Sequence, residues 1–187
     1  DTRILGGVPE RGDVVVFRHP VAGSDYIKRL IGLPGDTVQI KAGLLHLNGQ
    51  AVSVADAGTF EEMMAPQGPQ GLRPRCENGA VGEGGNCVKS RQRETLPNGR
   101  THDILNIGTQ MTDDTPVYTV PSGHFFFMGD NRDNSTDSRV PQAAGGVGFV
   151  PLENLIGRAD RIMFSSAGRS MLAFWTWRSD RFFKGIE

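Results

Sequence analysis

Short apolar runs separated by turn residues recur along the 187-residue sequence, and this pattern limits the possible folds more than any other feature. The runs are rich in aromatic and β-branched residues, as in "DVVVF" (13–17) and "HFFFM" (124–128). Gly and Pro number 25 and 11, which suits a chain that turns often. Runs of this kind between turn signals are typical of strands. The sequence therefore predicts a mainly β protein.

The order of runs and turns predicts particular strand pairs. "RGDVVVF" (11–17) indicates a turn followed by a strand, and "DYIKRLIGL" (25–33) indicates a second strand that pairs with it. Asn-Gly dipeptides at 48–49 and 98–99 lie between short apolar runs, which is the strongest local signal for a hairpin. Residues 57–86 are rich in Gly, Pro, Gln and Glu, so we expect irregular surface there.

The distribution of apolar residues predicts a core made from the two ends of the chain. We expect residues 1–36 and 122–187 to form an antiparallel β core. Residues 37–121 would then be an inserted, loop-rich second domain that also contains strands.

Charge and histidine spacing exclude two classes of protein. The chain has 20 basic and 21 acidic residues, a net charge of −1, so it lacks the excess of positive charge that is typical of nucleic-acid-binding proteins. The histidines at 19, 46, 102 and 124 lack the spacing of metal ligands. We predict no nucleic-acid partner, no metal and no cofactor.

The two cysteines lie close together, in the Gly-rich stretch "RCENGAVGEGGNC" (75–87). A disulfide between Cys76 and Cys87 would remove conformational freedom from this loop, an effect of about 3 kcal/mol. Such a bond implies an oxidising compartment. Two unrelated free thiols in a reducing compartment are the alternative.

The ends of the chain bear on its relation to a membrane. No run of 18 apolar residues and no secretory signal peptide occurs, and the sequence starts at Asp1 without Met, so we expect a piece of a longer protein. The tail interleaves aromatic and basic side chains, which suits a segment at a membrane interface or a terminal helix packed on the sheet. These residues are Phe174, Trp175, Trp177, Arg178, Arg181, Phe182, Phe183 and Lys184.

Lys28 is the first candidate for chemistry. Strand alternation places it on one face with Tyr26 and Leu30. A lysine held among apolar neighbours has a lowered pKa and can act as a general base. A solvated edge lysine is the ordinary alternative for this spacing.

The polar stretch "GDNRDNSTDSR" (129–139) directly follows an apolar run. Its charged residues could form a network of ion pairs that fixes a loop. Ser135 would then be one hydroxyl among several, without a special role. It could instead be part of an active site. The charged residues are Asp130, Arg132, Asp133, Asp137 and Arg139.

Four separated segments jointly resemble the successive conserved boxes of bacterial type I signal peptidase, in family order and spacing. They are "RGDVVVF" (11–17), "DYIKRLIGLPGD" (25–36), "MGDNRDNSTDSR" (128–139) and "GFVPLENLIGRA" (148–159). The resemblance covers both ends of the chain well and the insertion loosely. It implies a β-fold serine endopeptidase that is anchored in the bacterial cytoplasmic membrane and removes signal peptides from exported preproteins at the outer face.

The resemblance also implies roles for individual residues. Lys28 matches the general base of a Ser/Lys dyad, and Ser135 matches the hydroxyl that hydrogen-bonds and orients the lysine amine. Arg29, Asp130, Asp137 and Arg139 match charged residues that support the site. The positions that match the groove for an extended peptide are Val16, Asp25, Tyr26 and Ile27.

One expected motif is not found. The family's nucleophile lies in a Ser-Gly-Ser-Met-x-Pro-Thr motif upstream of "RGDVVVF", and nothing similar precedes Arg11. "PSGH" (121–124) and "GRSM" (168–171) lie in the wrong places. We therefore expect the nucleophile, and the membrane anchor with it, outside this chain, and we expect the isolated chain to be inactive.

Two other functions stay open at this stage. The chain could be a non-catalytic β domain that binds extended peptides without cutting them. It could also be a cytosolic relative with the same dyad, such as a self-cleaving repressor. The cysteine pair, the aromatic and basic tail and the lack of a DNA-binding helix pair argue against that second possibility.

Overall fold

The computed structural model describes residues 7–67, 71–162 and 183–185, which fold almost entirely as β-strands and turns. In this part of the chain we find 3-10 turns but no α-helix, which confirms the predicted mainly β class. The strands are β1 (Val14–Arg18), β2 (Asp25–Gly32), β3 (Thr37–Lys41), β4 (Leu44–Leu47), β5 (Gln50–Ala51), β6 (Ser53–Met63), β7 (Asn86–Thr95), β8 (Thr101–Asn106), β9 (Tyr118–Thr119), β10 (His124–Met128), β11 (Val150–Pro151), β12 (Leu155–Arg158), β13 (Arg161–Ile162) and β14 (Lys184–Gly185).

A five-stranded antiparallel sheet positions the candidate site. Its strand order is β11-β10-β2-β1-β12, so the predicted pair β1–β2 lies near its centre. Residues alternate in burial along β1, where Val15 and Phe17 point into the core. This alternation is what a strand with one buried face requires. The predicted pairing of the first two strands is therefore confirmed.

Both predicted Asn-Gly hairpins are present. Asn48 and Gly49 have φ values of 53° and 80° and join β4 to β5 as a tight turn. Asn98 and Gly99 lie in the connection between β7 and β8, where Gly99 has φ 84°. Left-handed φ values favour Asn and Gly, which is why these dipeptides mark the turns. The remaining sheets have the strand orders β5-β4-β3-β9, β6-β7-β8 and β13-β14.

The prediction of irregular surface for residues 57–86 is wrong at both ends of that range. Strand β6 extends to Met63, and β7 begins at Asn86 and pairs with it. A bulge between Asp56 and Thr59, with Gly58 at φ 81°, lets the long β6–β7 hairpin bend. Much of β6 is exposed on both faces, so it lacks the apolar alternation that reveals a strand in sequence.

Two hydrophobic clusters make up the core. One contains only residues from the two ends of the chain, such as Val15, Phe17, Leu30 and Phe127. The other joins β2 and β10 residues to apolar residues from the range 37–121, Leu45 among them. Insertion residues therefore share one cluster with the ends, and the proposed division into two domains stays a prediction.

The structure joins Cys76 to Cys87 in a disulfide that closes a loop beside β7. Because the cysteines are 11 positions apart, reduction should lower the free energy of unfolding by about 3 kcal/mol. Denaturant unfolding with and without reductant measures this difference, and a Cys76→Ser, Cys87→Ser variant should be insensitive to reductant. Two free thiols, counted by titration of the non-reduced protein, would contradict the bond.

Two predictions concern stretches near the C-terminus that lie wholly or mainly outside the described residues. The tail predicted to lie at a membrane interface is described only at residues 183–185, and "GRSM" (168–171) is not described. Within the ranges that are described, no helix has the length and hydropathy of a membrane span.

Candidate active site

A pocket of about 330 Å³ lies between the central strands and the polar stretch that follows β10. We call residues 129–139 the acidic loop. The pocket brings together Lys28 and Ser135, which are far apart in sequence. Its lining residues are Val14, Ile27, Lys28, Arg29, Gly129, Asp130, Asn131, Asn134 and Ser135.

Strand register explains why the acidic loop meets Lys28. β10 pairs antiparallel with β2 and ends with Met128 opposite Arg29. The chain therefore leaves the sheet directly beside Lys28, the next residue along β2. The polar loop that follows this apolar run therefore lies next to Lys28.

Lys28 is half-buried, and its surroundings make the charged amine less favourable than it is in water. Burial lowers the pKa of Lys28 below its ordinary value of 10.5, although the nearby carboxylates of Asp137 and Asp130 partly oppose this shift. Arg139 lowers the pKa further. Lys28 Nζ lies 5.9 Å from the centre of the Tyr26 ring, and no described carboxylate forms a salt bridge with it. An amine in this setting can accept a proton.

Ser135 packs over Gly129, next to the lysine side chain. A Cβ atom added to Gly129 would lie 2.6 Å from Ser135 Cβ and 3.7 Å from Lys28 Cδ, so both side chains lie close to this glycine. Ser135 Oγ is buried and has no hydrogen-bond partner. The hydrogen bond to Lys28 implied by the family resemblance is therefore not formed in this structure, although both groups line one pocket.

Gly129 is the residue that lets Ser135 approach. We expect Gly129→Ala to displace Ser135 and lower any activity that depends on this pocket by about 100-fold, because a misplacement of about 1 Å can have that effect. The matched control is Gly82→Ala, where an added Cβ meets nothing within 4 Å. Equal activity of the two variants would show that close packing at Gly129 is dispensable.

Two ion pairs hold the acidic loop against the sheet and against itself. Arg29 donates to both carboxylate oxygens of Asp130, at 2.8 and 2.9 Å, and to the carbonyl of Gly12. Arg139 donates to both oxygens of Asp137, which also accepts the backbone N–H of Gly129 at 3.0 Å. Asp137 and Arg139 are fully buried, so these bonds fix the loop that carries Ser135.

The network of ion pairs that the sequence suggested within the acidic loop is only partly formed. Asp137 and Arg139 pair with each other, but Asp130 pairs with Arg29. Asp133 accepts the backbone N–H groups of residues 107 and 108 instead of pairing with an arginine. Arg132 pairs with Glu94 of β7.

Sequence reasoning missed Glu94 and His102, which lie buried beside the loop. Burial disfavours the charged carboxylate of Glu94 and alone would raise its pKa. The charge of Arg132 and the neighbouring imidazole of His102 outweigh this effect and hold the pKa of Glu94 at about 2. Alternation predicts which face of a strand a residue occupies, but not which distant element covers that face. No local signal in the sequence could have identified this contact.

The four residues matched to a peptide groove lie on two faces of the β1–β2 pair. Val16 lies opposite Ile27, which is 52 % exposed, and these two share one face. Tyr26 is on the other face with Lys28, where it contacts Phe17 and His19. Asp25 is exposed and pairs with Arg18.

The backbone beside Lys28 has an open edge. β10 pairs with β2 only from Arg29 onward, and no described strand covers residues 25–28 on the side away from β1. Unpaired N–H and C=O groups at a strand edge can bind an extended peptide as an added strand. The open edge therefore places a possible peptide site next to the lysine.

The fold and the site together define a mainly β protein with a half-buried lysine beside an open strand edge. Comparison with known proteins identifies the family. The model of the signal peptidase family, peptidase S26, matches residues 5–164, and the chain belongs to this family of serine proteases.

Individual relatives agree with this assignment. The chain is 40 % identical over 172 residues to signal peptidase I of Rickettsia typhi, with 88 % of this chain and 55 % of that protein covered. Identity to the signal peptidase I of Rickettsia prowazekii is 39 %, with the same coverage. The chain spans about half the length of the curated relatives it matches.

A solved structure of a signal peptidase I from Enterococcus faecalis also matches. It is 25 % identical, covers 82 % of this chain and 97 % of its own, and has a TM-score of 0.42.

Proposed function

We propose that this chain is the downstream part of a signal peptidase I, a part that carries the lysine base of an enzyme that removes N-terminal signal peptides from exported preproteins. The observation that carries the proposal is Lys28, a half-buried amine with a lowered pKa beside an open strand edge. The family assignment supports it. By resemblance to the family, the site would face the outer side of the bacterial cytoplasmic membrane, with the membrane surface as a partner.

In the proposed reaction, neutral Lys28 takes the proton of a serine hydroxyl as that oxygen attacks the scissile carbonyl. Ser135 is poorly placed to be this nucleophile, because its Oγ is buried above Gly129. We expect the attacking serine from outside residues 1–187. Ser135 would then act by positioning the amine of Lys28, and Arg29, Asp130, Asp137 and Arg139 would hold the loop in place.

The proposed substrate is an extended segment of the preprotein. It would add as a strand along residues 25–28, with Val16 and Ile27 contacting side chains on one face and Tyr26 on the other. Backbone hydrogen bonds supply affinity that is independent of sequence, and shallow contacts select small side chains before the cut. Asp25 would lie at the start of this edge.

The same open edge favours a second candidate function, peptide binding without cleavage. Both functions predict that a signal-peptide segment binds residues 25–28. Only the peptidase predicts a cut product. Incubation of the full-length gene product with a preprotein, followed by mass spectrometry of the products, separates the two.

The pH dependence of cleavage tests the role assigned to Lys28. A protonated amine cannot accept a proton, so kcat/KM should fall as the pH drops through the pKa of Lys28. Because burial lowers this pKa, the midpoint of that fall should lie below 10.5. Cleavage that does not change with pH, or that rises on acidification, would contradict a lysine base.

A further inference from the structure

The acidic loop contacts the three-stranded sheet β6-β7-β8 as well as the central sheet. Arg132 binds Glu94 of β7, and the backbone N–H of Leu105 in β8 donates to the carbonyl of Asp130 at 2.8 Å. Asp133 accepts the N–H groups of Ile107 and Gly108, just beyond β8. Three separate contacts therefore fix the loop to a sheet formed by the insertion.

The contact with Glu94 is the ion pair among these, and both of its side chains are buried. Arg132 donates to both carboxylate oxygens, at 3.0 and 2.6 Å, and Glu94 is 0 % exposed. His102 Nε2 lies 3.2 Å from the same carboxylate. A two-pronged ion pair in a buried site has a narrow range of favourable geometries, so it fixes position more strictly than an exposed pair.

Arg132 is directly linked to the residues of the pocket. It begins the 3-10 turn Arg132–Asn134, and Ser135 is the next residue. Its carbonyl accepts a hydrogen bond from Arg139 at 2.6 Å, and Arg139 holds Asp137. Asp137 in turn accepts the N–H of Gly129, the residue under Ser135. A shift of Arg132 would therefore move Ser135 and also the Gly129 backbone on which Ser135 packs beside Lys28.

We infer that Glu94 is a positioning residue of the active site: through Arg132 it sets the place of Ser135 beside Lys28, and it makes the inserted sheet part of the catalytic apparatus. This inference rests on the proposed peptidase function for its kinetic consequence. Its structural consequence concerns the environment of Lys28 and is independent of cleavage.

The test uses Glu94→Gln, which keeps the shape but removes the charge, and Arg132→Lys, which keeps the charge but removes the planar fork. The matched control is Glu62→Gln, which removes the charge that binds buried Lys89 and lies on β6, the strand of that sheet farthest from β8. Two readouts are needed. The first is the kcat and KM of preprotein cleavage by the full-length gene product, and the second is the pKa of Lys28 in the 187-residue chain, from the NMR titration of its labelled Cε.

We expect Glu94→Gln and Arg132→Lys to lower kcat about tenfold or more, with KM within about twofold, because the strand edge that binds peptide is untouched. Loosening the loop admits water, so the pKa of Lys28 should rise toward its ordinary value by about half a unit or more. Glu62→Gln should change neither quantity.

The inference is overturned if both loop variants keep the wild-type pKa of Lys28, or if Glu62→Gln shifts it equally, which would indicate a general loss of stability. If Glu94→Gln does not fold, Arg132→Lys decides alone. If the wild-type full-length protein cleaves no preprotein, the proposed function fails. The titration of Lys28 then still decides whether Glu94 positions the loop.

Discussion

Replacement of Lys28 by alanine is expected to lower kcat/KM for preprotein cleavage by about 10⁴-fold, the upper range for loss of a general base. Without the amine, the described lining of the pocket offers only weak bases for the proton of an attacking hydroxyl near neutral pH. The described carboxylates nearest to it are engaged: Asp130 binds Arg29 and Asp137 binds Arg139. Cleavage of a purified preprotein, followed by gel or mass spectrometry, measures the effect.

The fold should survive this substitution, because Lys28 makes no salt bridge within the described residues. Its pKa is lower in the folded than in the unfolded chain, so the amine costs stability at pH values below about 10.5 and ceases to do so above. Lys28→Met, which retains most of the apolar stem, should therefore keep or raise the melting temperature at neutral pH. A Lys28 variant that is inactive and also unfolded would give no support to a catalytic role.

Lys41→Ala is the matched control, since Lys41 is exposed at the end of β3. It should leave both cleavage and stability unchanged. A folded Lys28→Ala protein that still cleaves at more than about one hundredth of the wild-type rate would remove the base assignment. A protein that binds the same peptide before and after the substitution, and never cuts it, would favour the peptide-binding function.

The sequence predicted the parts of the fold that depend on local rules. The strand with buried Val15 and Phe17, its pairing with β2, and the turns at Asn48 and Asn98 follow from alternation and from the backbone preferences of Asn and Gly. Strand β6 escaped prediction because it is exposed on both faces and is held mainly by pairing with β7. Backbone hydrogen bonds between strands do not require a particular pattern of side chains, so the sequence alone does not reveal them.

The candidate site was predictable only in part, for the same reason. Alternation put Lys28 on the face that also carries Leu30, and family resemblance connected it to Ser135. Neither could show that Ser135 packs over Gly129, or that Arg132 reaches across to Glu94. These contacts depend on how two sheets pack around one loop, and a charged residue such as Glu94 is ordinarily exposed.

Asp137 should be the residue of the acidic loop whose loss costs the most stability. Asp137→Ala leaves the buried guanidinium of Arg139 without its carboxylate and removes the acceptor for the Gly129 N–H. Loss of one partner from a buried ion pair typically costs about 3–5 kcal/mol. We expect a decrease of this size in the free energy of unfolding, measured by denaturant titration at neutral pH.

Asp103→Ala provides the comparison, because Asp103 pairs with Arg93 across β7 and β8 where both side chains are partly exposed. Its loss should cost less than about 1 kcal/mol. If Asp137→Ala cost no more than this, the carbonyl of Arg132, which already accepts a bond from Arg139, would be sufficient to hold the guanidinium. A folded Asp137→Asn variant separates charge from shape: since the Asp137 carboxylate raises the pKa of Lys28, that pKa should fall further once the charge is removed and the loop stays in place.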